Sequence, residues 1–323
     1  MNHYDCIIVG GGLAGSLLFY GLKSIHPAAQ ILLIEKNSTL AGNHTWCFHE
    51  ADISWSNHQW IRDLISRSWD QYEVIFPRYQ RTLRSAYHAI QSEKLHQFLT
   101  TRYSDSIMLN QEILSLRKNQ VELSSGQVFH APCVVDARGW REISEPVCGY
   151  QKFVGLDLKL KKPHALEGVR LKDVTVKQID GYRFVYVLPW SSNQILIEDT
   201  YYSNSGQLDI EVIKQRILAY AQKEGWEVEE VLRVESGCLP LVSSTQKLED
   251  EGPVVLGARS GEYQPVTGYT FPQTFQRIEE LLIQQEFDTE LWKKKLWSLG
   301  QQDKRQRIYA KLAEGFQNLI SHW

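Results

Sequence analysis

Two short runs near the start of the chain are apolar without interruption, Cys6-Ile7-Ile8-Val9 and Ile31-Leu32-Leu33-Ile34. Runs of that length, apolar at every position, suit strands covered on both faces, as in a parallel sheet. A glycine cluster and a helical pattern from Leu13 to about Lys23 lie between them, so residues 4–35 read as strand, tight turn, helix and strand. That is a parallel βαβ unit. From Ala41 to Ile90 the pattern is irregular and aromatic-rich, with one helix expected near Trp60 to Ser68. Ser92 reads as the N-cap of a helix through Phe98 and Leu99, and Val121-Glu122-Leu123 before Ser124-Ser125-Gly126 reads as a hairpin. Val134-Val135-Asp136-Ala137-Arg138-Gly139 predicts another buried strand ending in a glycine turn.

Between about Gly149 and Leu241 the texture changes to alternation. Strands are expected at Val169 to Val176, Tyr182 to Leu188 and Gln194 to Tyr202, with a turn at Ser191-Ser192-Asn193 joining the last two. A helical period at Ile210 to Tyr220 and a short strand at Val231 to Val234 follow. Val254-Val255-Leu256-Gly257 then returns to the parallel-sheet texture. The fold class is therefore α/β, a doubly wound parallel sheet carrying an inserted antiparallel-sheet domain. The divisions expected are a nucleotide-binding βαβ segment at 1–50, a mixed segment completing it at 51–148, the antiparallel domain at 149–250, a return at 251–290 and a basic helical tail at 291–323.

Composition narrows the classes. At 323 residues and 43% apolar, the chain has material for two cores. Lys and Arg total 35 against 38 Asp and Glu, a net charge of −3, which gives no general attraction to nucleic acid. The five cysteines are odd in number, scattered and never in CxxC spacing, which fits a reducing cytoplasm and neither a disulfide framework nor a zinc knuckle. The longest uncharged stretch, Cys6 to Leu22, is broken by four glycines and preceded by Asp5, so no spanning helix or leader is expected. The tail gathers Lys293, Lys294, Lys295, Lys304, Arg305, Arg307 and Lys311 around Asp303, with Trp292 and Trp297 among them.

Three features carry chemistry. Gly10, Gly12 and Gly15 form GxGxxG directly after a strand, and the helix opens at Leu13 and Ala14. Such glycines allow the sharp turn, a close backbone approach to a pyrophosphate, and tight packing of helix on strand. Glu35 stands twenty residues beyond Gly15, placed to accept a ribose hydroxyl and to repel a 2′-phosphate, which leaves FAD or NAD. Asp136, Arg138 and Gly139 close a second strand at the same sheet edge, and Pro265, Thr267 and Gly268 precede a helix at Phe275 to Ile283, so their loops can meet the same dinucleotide.

The third feature is Ile195-Leu196-Ile197-Glu198-Asp199-Thr200, two carboxylates at the end of an apolar strand. Neighbouring strand residues face opposite ways, so one acid enters a cavity on the face of Leu196 while the other turns to supporting structure. A buried carboxyl beside another carboxylate holds its proton near neutral pH and serves as a general acid; on pattern alone, solvated strand-end charges remain the alternative. His44, His49 and Glu50 lack metal-ligand spacing, and no GxSxG elbow is present, so neither metal chemistry nor nucleophilic hydrolysis is expected.

With these residues in hand, the chain resembles the flavin-dependent lycopene β-cyclases of bacterial carotenoid pathways, within the wider group of flavoprotein hydroxylases and reductases. The likeness runs through Ile7-Ile8-Val9-Gly10-Gly11-Gly12-Leu13-Ala14, Leu33-Ile34-Glu35, Gly42-Asn43-His44-Thr45-Trp46, Phe48-His49-Glu50, Tyr72-Glu73-Val74 and Phe76-Pro77. It continues in Gly181-Tyr182-Arg183-Phe184-Val185-Tyr186, Leu196-Ile197-Glu198-Asp199-Thr200, Glu235-Ser236-Gly237-Cys238-Leu239-Pro240 and Pro265-Val266-Thr267-Gly268-Tyr269. The resemblance implies a Rossmann-type FAD domain, FAD kept reduced by NADPH or NADH, and an isomerase that closes an acyclic carotenoid end to a β-ionone ring. It also implies Glu198 as proton donor and Asp199 as its support. An apolar carotenoid substrate implies peripheral docking on a membrane, with the basic tail as the expected surface. Two departures stand out: relatives usually continue through a longer helical C-terminal region, so a more open pocket, a partner subunit, an altered substrate or flavin binding without cyclisation are the alternatives here, and Gln264 stands where they commonly carry histidine. The rivals are an FAD-dependent monooxygenase or isoprenoid reductase, and a non-catalytic flavin- or carotenoid-binding protein derived from a cyclase.

Overall fold

The computed structural model describes residues 4–55, 59–140, 147–242, 251–264 and 267–302. In chain order, β1 (Cys6–Val9), α1 (Leu13–Ile25) and β2 (Ile31–Ile34) form the expected βαβ unit. Next come β3 (Thr45–His49), β4 (Arg67–Trp69), β5 (Tyr72–Phe76), β6 (Tyr79–Leu83), β7 (Tyr87–Gln91) and α2 (Ser92–Tyr103). After β8 (Ile107–Met108), the chain forms β9 (Ile113–Arg117), β10 (Gln120–Leu123), β11 (Val128–His130) and β12 (Cys133–Asp136). Then β13 (Val147–Leu160), β14 (Val169–Asp173), β15 (Tyr182–Ser191), β16 (Gln194–Ser203), α3 (Ile210–Lys223) and β17 (Val228–Val242) follow. The described chain closes with β18 (Val254–Val255), α4 (Phe271–Leu282) and α5 (Thr289–Gln302).

A five-stranded parallel sheet, in the order β18-β12-β1-β2-β8, lies at the centre of the nucleotide-binding part. The apolar runs explain its layering. Cys6, Ile8, Ile31, Leu33 and Val135 point to one side, where Leu17, Leu18, Phe275 and Ile278 of α1 and α4 meet them. Ile7, Val9, Leu32, Ile34 and Val134 point to the other, closed by Val121, Leu123 and Phe129 of the β9–β11 meander.

The second sheet has seven strands, β17-β13-β16-β15-β14-β5-β6, antiparallel except where β14 runs parallel to β5. Val154, Leu156, Leu158, Val185, Val187, Ile195 and Ile197 pack on Ile213 and Ile217 of α3. The opposite face looks toward the nucleotide-binding part and the small β3-β7-β4 sheet, where Leu188 and Leu196 meet Cys47, Tyr87 and Ala89. The hairpin of β5 and β6, grouped by sequence with the 51–148 segment, extends this second sheet.

Some local expectations shift. The helix expected near Trp60 to Ser68 is one 3₁₀ segment, Gln59–Leu64, because Ser66 is drawn into pairing with β7: its amide donates to the Ala89 carbonyl at 2.7 Å and its hydroxyl accepts the Gln91 amide at 2.9 Å. Ser92 is the first residue of α2 rather than its cap, and its hydroxyl accepts the His44 amide at 3.1 Å. The strand at Val231 to Val234 is the middle of β17, and its partner β13 escaped the alternation because buried charges interrupt it. Lys152 donates to the carbonyls of Ser205 and Gln207 and pairs with Asp180 at 2.7 Å, while Asp157 accepts the Trp190 indole at 2.6 Å and pairs with Arg233 at 2.5 Å.

Candidate active site

The dinucleotide motif is built as its spacing requires. Gly10 turns with φ of 99°, and a Cβ there would lie 2.6 Å from the Ala137 backbone; a Cβ on Gly15 would lie 1.9 Å from the Gly10 carbonyl oxygen. Backbone therefore packs on backbone at both positions. Gly12 is the N-cap of α1 with no side-chain cap, no acidic residue stands in the first turn, and nothing lies within 4 Å of where its Cβ would be. The helix start thus presents free amides to open space, which fits a pyrophosphate. Glu35 fixes the rim: its carboxylate accepts the Gly11 amide at 2.7 Å through Oε2 and the backbone and side-chain amides of Asn37 at 2.9 and 2.8 Å through Oε1, which leaves a lone pair on Oε2 for a ribose.

One cavity of about 690 Å³ joins this cradle to the seven-stranded sheet. Gly10, Gly12, Leu13, Ala14, Glu35, Arg138 and Gly139 line it at the cradle; Phe153, Phe184, Tyr186 and Glu198 lie on the sheet side, where Thr267 and Gly268 join them, the Thr267 carbonyl accepting the Tyr202 hydroxyl at 3.1 Å. Gly15 and Asp136 act from behind. Asp136 clamps Arg138 at 2.8 Å and Arg259 at 2.7 Å, holding the Arg138 loop against the cavity. Pro265 lies outside the described residues. Gln264 accepts the Thr267 amide through its side-chain oxygen at 2.6 Å, so it shapes the turn that carries Thr267 and Gly268.

The two adjacent acids part as the strand period demands. Glu198 projects from β16 into the cavity, on the face shared with Leu196 and Thr200, and accepts the Thr200 hydroxyl at 2.5 Å. It is half-buried at the cavity wall. Burial first, and then the charge of Glu235, pushes its carboxyl up to about 8, partly offset by the Thr200 bond. Asp199 does not reach the cavity. It points toward α3, fully buried, held by Arg183 through two bonds of 2.7 Å and by the Tyr201 hydroxyl at 2.8 Å. The pair ties β16 to β15, and the Asp199 charge adds to the upward push on Glu198.

Other groups line or flank the site that the sequence reading gave no role. His44 and His49 line the cavity, and burial lowers both rings from their ordinary value, which keeps them neutral at pH 7. Lys172 lies 4.6 Å from the Phe184 ring centre, its ammonium lowered by burial. Glu235, quoted above only as part of a longer motif, is 2% exposed and pushed up to about 7 by burial against the pull of Arg233. Among the described residues no group of His, Cys, Asp or Glu is arranged to hold a metal ion.

This arrangement, a dinucleotide cradle opening onto an apolar cavity with one protonated carboxyl in its wall, has close counterparts in sequence. The profile described as Lycopene cyclase protein matches residues 5–312. A lycopene beta-cyclase of Pseudescherichia vulneris is 40% identical over 272 residues, covering 83% of this chain and 70% of the relative. Another, from Pantoea ananas, is 38% identical over 273 residues, covering 84% of this chain and 72% of the relative. In fold, the chain is similar to Klebsiella pneumoniae HpxO solved with FAD, with a TM-score of 0.71 at 11% identity, over 99% of this chain and 93% of that one. The match along nearly the whole sequence, together with a cavity that brings the motif residues to one place, establishes that the chain belongs to the lycopene cyclase family.

Proposed function

We propose that this protein cyclises the acyclic end groups of lycopene, or a related carotenoid, to β-ionone rings without net oxidation or reduction. The observation that carries this reading is Glu198, a carboxyl that keeps its proton at neutral pH, facing an apolar cavity continuous with the dinucleotide cradle. FAD is the dinucleotide that suits the cradle, held by the α1 amides, Glu35 and the Arg138 and Thr267 loops. When bound in its reduced form, it supplies an electron-rich ring that stabilises a neighbouring cation.

The chain's own residues do the rest. Phe153, Phe184, Tyr186 and Leu239 line the cavity and exclude water from a reacting hydrocarbon. Glu198 donates its proton to the terminal alkene, whose electron pair forms the new C–H bond. The cation closes on the next double bond of the chain. Glu198, now a carboxylate, takes a proton from the ring, and the freed pair becomes the ring alkene. The product is an isomer, and Glu198 ends as it began.

NADPH or NADH is needed on this reading only to keep the flavin reduced. Purified protein reduced anaerobically and given lycopene should form many ring equivalents per reductant consumed. A one-to-one ratio of product to nicotinamide oxidised would favour the monooxygenase or isoprenoid-reductase reading, and pigment binding without product would favour the non-catalytic one.

A substrate this apolar reaches the cavity from a bilayer. No helix among the described residues is long and apolar enough to cross a membrane. Trp292, grouped by sequence with the tail's docking surface, is fully buried and donates its indole N–H to the Glu286 carbonyl at 3.0 Å. Trp297 of α5 is 68% exposed, and Leu291 of α5 and Ile283, just past the end of α4, are exposed as well. Lys304, Arg305, Arg307 and Lys311 lie outside the described residues. We propose that the α5 region docks on anionic membrane. The protein should co-sediment with vesicles containing anionic lipid and do so less when Trp297 is replaced by Ala; equal recovery with and without vesicles contradicts docking.

A further inference from the structure

Glu198 is not the only carboxyl on the cavity side of the sheet. The register places Gly155 of β13 directly between Glu198 of β16 and Glu235 of β17. Outer strands flanking a central one stand about 10 Å apart, a gap that two glutamates reaching inward can close only if the central residue leaves room. Gly155 leaves it. A Cβ there would lie 2.8 Å from Glu235 Cγ, 3.0 Å from its Oε1 and 3.1 Å from a Leu196 methyl. The Glu235 carboxylate therefore lies over the glycine, toward the strand that carries Glu198.

The two acids are held differently. Glu235 Oε2 accepts the Thr45 hydroxyl at 3.0 Å and pairs with Arg233 at 3.0 Å, while its Oε1 is buried with no hydrogen-bond partner among the described residues. Glu198 has the Thr200 hydroxyl and, among the described residues, no cation paired with it. The charge of the pair thus rests on Glu235 and the proton on Glu198. Asp157 on β13 shares Arg233 with Glu235. Around Glu198, Cys47 on β3, Tyr87 on β7, Tyr186 on β15 and Tyr202 are all held neutral by burial. Asp199 on the opposite face is paired with Arg183.

Resting on the cyclase reading above, we propose that Glu235 is a positioning residue for the catalytic proton: laid across Gly155 and anchored by Arg233 and Thr45, its carboxylate keeps the proton on Glu198 and draws it back after ring closure. When Glu198 gives its proton to the alkene, two carboxylates face each other in a site poor in water. Their repulsion makes the Glu198 anion a stronger base toward the ring C–H, and both negative charges offset the cation while it exists. The O–H bond broken in the first step is re-formed in the last, so no oxidant or reductant enters.

The test reads the coupling directly. In flavin-loaded protein carrying carboxyl-13C glutamate, the Glu198 and Glu235 signals are assigned by their loss in Glu198→Gln and Glu235→Gln, and each is titrated. Glu235→Gln should lower the titration point of Glu198 by about one pH unit or more, and the basic limb of the kcat profile should move with it. Glu235→Asp should restore most of both. Linkage demands the reciprocal effect, so Glu198→Gln should lower the Glu235 titration by a similar amount, and this arm stands even if Glu235→Gln fails to fold. Titration points that stay where they were in either variant overturn the proposal. Shifted titrations in a protein that forms no rings would leave the carboxyl pair standing and remove the cyclase reading instead.

Discussion

Replacing Glu198 by Gln is expected to cut cyclisation by about 10²–10⁴-fold, the share of a general acid, while the dinucleotide site stays filled. The amide has nearly the volume of the carboxyl and can still accept the Thr200 hydroxyl, so the cavity wall survives while the transferable proton is gone. Chromatography of pigments, with flavin content measured on the same samples, checks this. The pH dependence has a definite sign. Because Glu198 must be protonated to act, turnover in the native protein should fall as pH rises past about 8. Stability follows the same group. The folded chain holds a proton that the unfolded chain releases near the ordinary value of 4.5, so Glu198 costs stability progressively as pH climbs from 4.5 to about 8. Glu198→Gln removes that cost and should flatten the stability curve between pH 4.5 and about 8.

Arg183→Leu is expected to destabilise the fold by about 3–5 kcal/mol, the range for removing one partner of a buried pair. Asp199 has no exposed surface, and both its oxygens are bound by Arg183 at 2.7 Å. Without the guanidinium, a buried carboxylate keeps only the Tyr201 hydroxyl. The denaturant midpoint would report the loss. Asp199→Asn completes the comparison: it should lower the midpoint and, because the Asp199 charge adds to the upward push on Glu198, move the pH at which turnover falls downward, by less than Glu235→Gln does. A pH profile displaced as far as in Glu235→Gln would give Asp199 an equal part in the proton chemistry.

How much of this was readable in the residues depended on the range of the interactions involved. The βαβ unit was legible because its signals are local: two apolar tetrads, a glycine turn and Glu35 at the end of the second strand. The opposite facing of Glu198 and Asp199 was legible too, since it follows from strand period alone. Long β13 was hidden by Lys152 and Asp157, buried charges whose partners lie on other elements or in distant loops. The 3₁₀ turn at Gln59–Leu64 was misread as a longer helix because the pairing of Ser66 with β7 outweighs the helical pattern. Glu235 stands thirty-seven positions from Glu198 in sequence, and only the register of both strands on Gly155 makes them neighbours. Two strand glutamates and a strand glycine, each unremarkable alone, carry no such message until the pairing is known.

The account turns on a proton that leaves a solvent-exchanged carboxyl and stays on carbon. Cyclisation run in deuterium oxide with anaerobically reduced protein, followed by mass spectrometry of the pigment, tests it most directly. One deuteron fixed per ring, with no other gain in mass over the acyclic substrate, is the predicted result. Rings that carry no deuterium, or a product richer than its substrate by two hydrogens, would contradict it.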